Sequence, residues 1–319
     1  MDENVDSLNQ EEISPGPSGV VGEVPRFWKT AKILFKGLLC FFLFFIFYII
    51  INHFFHFSIT ILDVFYYICG FYILFLIFKW VFGLGYSLEK TFRLFALSKK
   101  NVIPIFFISI SLYLFGGSAG GLIKYFLDKI GINSPSSNLS LPNEWWNLII
   151  SLLSMIVLAP IMEELIFRGI ILNSISKSIN IRWAIIISSL LFGIVHISPV
   201  YIIVIGLSAI MTAWIVIKTN SILSGIIIHF INNSLAASFY LLKRIGLLIY
   251  FQNLNLAIKW GISIFILIFS ILMMIFGIIW LLRNLDLNSQ RPITFISNYF
   301  RKKHKTCPTS SISSETIDQ

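Results

Sequence analysis

The sequence predicts an all-α polytopic membrane protein of about eight transmembrane helices, with its polar chemistry held in a helix bundle. Three observations carry this. Of 319 residues, 57% are hydrophobic and 12% are charged, with a mean hydropathy of +0.86; soluble domains carry roughly 25% charged residues. The apolar residues fall into eight runs, most of them near the roughly 20 residues that span a bilayer. The basic residues behind the net charge of +9 sit between runs and in the C-terminal segment. That distribution sets topology and meets anionic lipid; it does not point to nucleic acid.

Taken in order, residues 1–28 are polar and acidic (EEISPGPSG). They read as a disordered tail, because a cleaved signal would need a basic start and a short apolar core. Residues 29–146 hold three predicted helices, at 33–54, 59–82 and 102–126. Between the last two, YSLEKTFRLFALSKK (86–100) has the pattern of an interfacial amphipathic helix. Residues 147–242 hold four more runs, at 147–172, 183–198, 200–217 and 221–242. The middle two are short and meet at Ser198-Pro199, a natural helix break. An outer loop and a last helix (258–282) occupy 243–282, and a basic, then polar, tail follows from 283 to 319.

Threading these runs through a bilayer puts Arg26, Lys29, Lys32, Lys90, Arg93, Lys99, Lys100, Lys177, Arg182, Lys218 and the C-terminal basic residues on one side. The other side keeps Lys124, Lys129, Lys243, Arg244 and Lys259. The positive-inside rule then predicts cytoplasmic termini. Cys40, Cys69 and Cys307 have no paired spacing, so neither a disulfide framework nor a cysteine metal site is expected.

The polar residues left inside the runs are few. Of 15 acids, Glu163 and Glu164 lie well inside one; of five histidines, His196 and His229 do. Arg168 shares the glutamates' run, in APIMEELIFRG (159–169), and Asn233 follows His229 by one turn. Three charges at a helix centre cost on the order of 8–10 kcal/mol, and each aliphatic residue returns roughly 0.3–0.6 kcal/mol. The glutamate run thus nearly cancels its own drive to insert, so bundle partners or a water-filled cavity must offset the cost.

Depth points the same way. At about 1.5 Å per residue, Glu163, His196, His229 and Asn233 lie roughly 14, 20, 12 and 18 Å from the same face. Unrelated polar residues need not agree in depth, so one shared site is expected. Glu164 and Arg168, spaced i, i+4, can pair, as His229 and Asn233 can project together. Glu163 is rotated about 100° from Glu164. Pro160 leaves the carbonyl of residue 156 without its helical donor, which can kink the helix and admit water. Each group alone also has a structural explanation, as a buried ion pair or an interhelical hydrogen bond; the agreement in depth favours chemistry.

Three motifs stand in order on separate runs: EExxxR (Glu163, Glu164, Arg168), FxxxH (Phe192, His196) and HxxxN (His229, Asn233). Over roughly residues 147–240 the chain resembles the CPBP family, the CAAX-prenyl protease and bacteriocin-processing proteins also called Abi or Rce-type. The resemblance implies an intramembrane endopeptidase of the CAAX-prenyl endopeptidase kind. Glu163 would activate water as general base with His196 beside it. His229 and Asn233 would polarise the scissile carbonyl, and Glu164 with Arg168 would hold the site together. The family's metalloprotease label implies a Zn2+ option, with Glu163, His196 and His229 as ligands and a position left for water. A metal-free glutamate–histidine mechanism is equally compatible.

The implied partners are a peptide or membrane-protein substrate and the lipid bilayer. An Ile-, Phe-, Asn- and Lys-rich composition points to a bacterial cell membrane, where leader peptides, bacteriocins and pheromones are candidate substrates. Two other classes compete. GGSAGG contains the GxSxG pattern of a rhomboid-like serine protease (Gly116, Ser118, Gly120). That serine lies mid-run, however, and small residues at this spacing let helices approach closely. A non-catalytic bacteriocin self-immunity, scaffold or transport protein is the other alternative; no inverted repeat with broken helices supports transport.

Overall fold

The structure, a computed structural model, describes residues 92–132, 144–196, 198–247 and 254–285, together with residue 142 and parts of 68–79. The run at 33–54 and both tails outside these limits lie beyond the described residues. The run at 59–82 is helical at each described position from 68 to 79.

Six helices follow: α1 (Lys99–Lys129), α2 (Trp145–Ser176), α3 (Ile181–Ile194), α4 (Pro199–Thr219), α5 (Ile222–Arg244) and α6 (Leu256–Asn284). Five of them, all but α3, are long and apolar enough to cross a membrane. The described chain is thus an all-α integral membrane bundle, with five such helices rather than an established eight. At 14 residues, α3 rises only about 21 Å, short of the hydrocarbon core.

Close helix approach organises the bundle. Against α1 lies α6, where a Cβ on Gly277 would meet Ile108 Cγ1 at 2.7 Å. Ile105, Ile108 and Leu112 of α1 then form one core with Ile215, Ile228 and Leu281. Between α3 and α4 the approach is backbone to backbone: a Cβ on Gly193 would sit 2.7 Å from the carbonyl oxygen of Ile202. Two of the four glycines of GGSAGG behave as packing residues, Gly116 facing Val204 and Gly120 facing Val200. Ser198 caps α4 from an extended backbone and Pro199 opens it, as the sequence implied.

α2 is not uniformly α-helical. Two π-helical stretches, Ser154–Leu158 and Leu165–Leu172, bracket the α-helical Ala159–Glu164. The first answers Pro160. In π register carbonyls pair five residues on, as Ser154 O does with the N–H of Ala159.

One expectation fails. Residues 93–98 are not part of an interfacial helix, and helix begins at Lys99; residues 86–91 of that stretch lie outside the described residues. Arg93 has φ 50°, which breaks helical geometry there. The segment bonds inward instead: Ile222 N donates to Arg93 O at 3.1 Å, and Ser221 Oγ donates to Phe95 O at 2.6 Å.

Candidate active site

The two glutamates lie in the short α-helical stretch between the π turns and face different surroundings. Glu164 is 1% exposed and Arg168 3%, with Arg168 Nη1 3.0 Å from Glu164 Oε1. This is the i, i+4 pair the sequence predicted. Glu163, one position earlier and partly exposed, points toward α5.

His229 lies between the two carboxylates. Its Nδ1 is 3.5 Å from Glu164 Oε1, and its Nε2 is 3.7 Å from Glu163 Oε2. The second separation exceeds a direct hydrogen bond and is short enough for one water to link the groups. Glu163 Oε2 is buried and has no hydrogen-bond partner among the described residues. A carboxylate oxygen thus faces each ring nitrogen of His229.

His196 is not on a helix. α3 ends at Ile194, and His196 occupies the turn that leads to α4. Its Nδ1 is 2.9 Å from the carbonyl of Phe192. A carbonyl only accepts, so this nitrogen carries the proton and Nε2 is left as the lone-pair nitrogen. The depth estimate for His196, built on a continuous helix, therefore does not apply as stated. Gly193 allows the tight α3–α4 approach, and Pro199 keeps Ser198 out of helical geometry; together they leave a turn between.

Phe192 joins these groups. Its buried ring centroid lies 5.1 Å from that of His196, 5.8 Å from that of His229 and 4.4 Å from the guanidinium carbon of Arg168. The FxxxH phenylalanine is thus a wall shared by both histidines and the arginine. Asn233 Nδ2 donates to Met155 O at 2.8 Å, within the first π turn of α2. One of its two amide hydrogens is engaged there, and the other is free of that bond.

Sequence reasoning missed Gly225. It sits one turn before His229 on α5, and a Cβ there would land on Glu164 Oε2. Only hydrogen at this position lets the carboxylate reach its seat. The spacing Gly225, His229, Asn233 (i, i+4, i+8) was available as a signal.

A metal can be tested against this donor set. Among the described residues no three His, Cys, Asp or Glu side chains gather to hold an ion. His196 meets the cluster through Phe192, and Glu163 and His229 face each other. The possible ligands Glu163, His196 and His229 do not fit an ion as arranged.

Residues 145–235 match the family model described as type II CAAX prenyl endopeptidase Rce1-like. The chain is also similar to the "Putative membrane peptidase YdiL" of Bacillus subtilis (strain 168), with 31% identity over 121 residues. That stretch is 38% of this chain and 49% of the relative, so the chain spans about half the length of the curated relative it matches. No solved structure matches it. The matched segment contains Glu163, Glu164, Arg168, Phe192, His196, His229 and Asn233. Through residues 145–235, therefore, this chain is similar to the Rce1-like CAAX prenyl endopeptidases.

Proposed function

We propose that this protein is an intramembrane endopeptidase that hydrolyses a peptide bond with water activated by Glu163. The observation that carries the proposal is the arrangement around His229, with a partly open carboxylate facing one ring nitrogen and a buried, charge-compensated one beside the other.

In the proposed reaction Glu163 takes a proton from water as its oxygen bonds to the scissile carbonyl carbon. The carbonyl oxygen becomes an oxyanion, which His229 and the second amide hydrogen of Asn233 stabilise. The tetrahedral carbon then expels the amine as the C–N bond breaks, and Glu163 returns its proton to that nitrogen. His196 supports this from the α3–α4 turn, its Nε2 available as a second proton acceptor. Glu164 and Arg168 take no part in bond making; they fix the ring of His229.

The substrates proposed are peptides or membrane-protein segments of the CAAX-protease and bacteriocin-processing type. The setting proposed is a bacterial cell membrane with both termini cytoplasmic. Accessibility labelling of single cysteines placed in 1–28 and 286–319 checks the orientation.

The test is cleavage itself. Removing a general base costs roughly 10²–10⁴ in rate, so cells making Glu163→Gln should lack the membrane-peptide products made by cells with the native chain. Identical peptide profiles would refute the proposal. They would favour the non-catalytic immunity or scaffold alternative if the cellular phenotype also survived. Metal analysis of the purified protein, with activity measured in chelator, decides whether Zn2+ takes part.

A further inference from the structure

Arg93 lies outside the motifs, in the segment that enters α1. Burial lowers its guanidinium to about 10, so it is a cation at neutral pH. Its side-chain partners are amide oxygens. Nε donates to Asn173 Oδ1 at 2.9 Å, and Nη1 donates to Asn220 Oδ1 at 2.6 Å. Arg93 and Asn220 are the two non-glycine residues with positive φ among the described residues, at 50° and 45°. Such backbone is costly outside glycine and persists where surrounding contacts hold it.

Each bond leads toward the site. Asn173 ends the second π turn of α2. Its backbone N–H goes to Ile170 O, three residues back, while its side-chain Nδ2 donates to Gly169 O at 3.1 Å. The side chain thus supplies the carbonyl that the backbone donor has passed by. Nδ2 faces Gly169 only while Oδ1 faces Arg93, so the arginine sets the orientation of that amide. Gly169 follows Arg168 directly, and a Cβ on it would meet Phe92 at 2.8 Å, so the segment before Arg93 lies against the same turn. Through its backbone carbonyl, Arg93 also holds Ile222, the first residue of the helix that carries Gly225, His229 and Asn233.

We infer that Arg93 is a positioning residue that clamps the π turn carrying Arg168 to the start of α5, and so keeps the Glu164–Arg168 pair in register with His229. Its effect on cleavage rests on the protease proposal; its effect on the α2 turn does not.

The experiment uses full-length protein purified in detergent. Amide hydrogen exchange is read by mass spectrometry. Cleavage is read on a quenched fluorescent peptide bearing a site found in the native against Glu163→Gln comparison. In Arg93→Ala and Asn173→Leu, exchange over 165–174 should rise roughly fivefold to tenfold, the factor one lost hydrogen bond gives. Exchange in α1 and α6 should stay native. kcat should fall about tenfold, as small misplacements of catalytic groups produce, with KM within about twofold of native.

Arg93→Lys keeps a charge but lacks the planar fork that serves two amides, so it should recover less than half of the lost kcat. Asn220→Gly cuts only the other arm at a φ glycine tolerates, and should leave exchange over 165–174 near native. The clamp is overturned if exchange over 165–174 does not change, or if protection is lost equally along the whole chain. Native kcat in a variant whose 165–174 exchange has risen would overturn the catalytic coupling. If Arg93→Ala does not fold, Asn173→Leu decides. Failure of the protease proposal shows separately, as unaltered cleavage in Glu163→Gln, while the exchange readout still tests the clamp.

Discussion

At the scale of single residues, the site is governed by the cost of charge inside a bilayer. Glu164 and Arg168 are almost fully buried and meet at 3.0 Å. Breaking a buried pair strands the other charge and costs about 3–5 kcal/mol, whereas replacing both partners with apolar groups is often neutral. Arg168→Met should therefore lower thermal stability in detergent strongly. A Glu164→Leu/Arg168→Met double variant should recover most of that stability and none of the cleavage. Gly225→Ala sets a second expectation: the new methyl overlaps the Glu164 carboxylate and should cost about 1–3 kcal/mol, the range for overpacking. Its loss of activity should exceed what that destabilisation explains at the assay temperature. Five of the seven motif residues, Glu163, Glu164, Arg168, His196 and His229, were legible in sequence because ionisable groups are conspicuous in apolar runs. Gly225 was not, since a glycine in a membrane helix has many ordinary uses. Arg93 was not either, because a basic residue at a helix flank serves topology equally well.

At the scale of elements, α2 is positioned by departures from regular helix. Its π turns lie on either side of the glutamates, and each is met by an asparagine side chain: Asn233 at Met155 O, Asn173 at Gly169 O. Sequence placed the run correctly and saw that Pro160 disturbs it. It could not choose between a kink and a π turn, because both answer the missing N–H. The end of α3 was hidden in a similar way. LFGIVH continues an apolar run with no stop signal before Pro199, yet the helix ends at Ile194 and His196 turns inward from a loop. That turn depends on Gly193, whose Cβ would meet a backbone carbonyl that cannot swing aside. Gly193→Ala should push α3 from α4 and displace His196. A fall in kcat larger than that of Gly206→Ala, where the nearest atom to a Cβ is 3.9 Å away, would bear this out; equal effects would count against it.

At the scale of the whole molecule, composition alone was enough for an all-α membrane bundle, because a chain this apolar leaves few other ways to satisfy its backbone. The number of crossings was less legible. α3 is too short to span, and length in an apolar run does not reveal whether a helix crosses or ends against a neighbour. The bundle brings residues of α2, α3 and α5, spread over more than sixty positions of sequence, around Phe192 and His229. The GGSAGG stretch packs on α4, so a serine nucleophile there is not needed to explain the fold. The most direct measurement compares membrane peptides from cells making the native chain, Glu163→Gln or Ser118→Ala. The account predicts that the native products persist with Ser118→Ala and vanish with Glu163→Gln. Products that survive Glu163→Gln, or that vanish with Ser118→Ala in a folded protein, would contradict it.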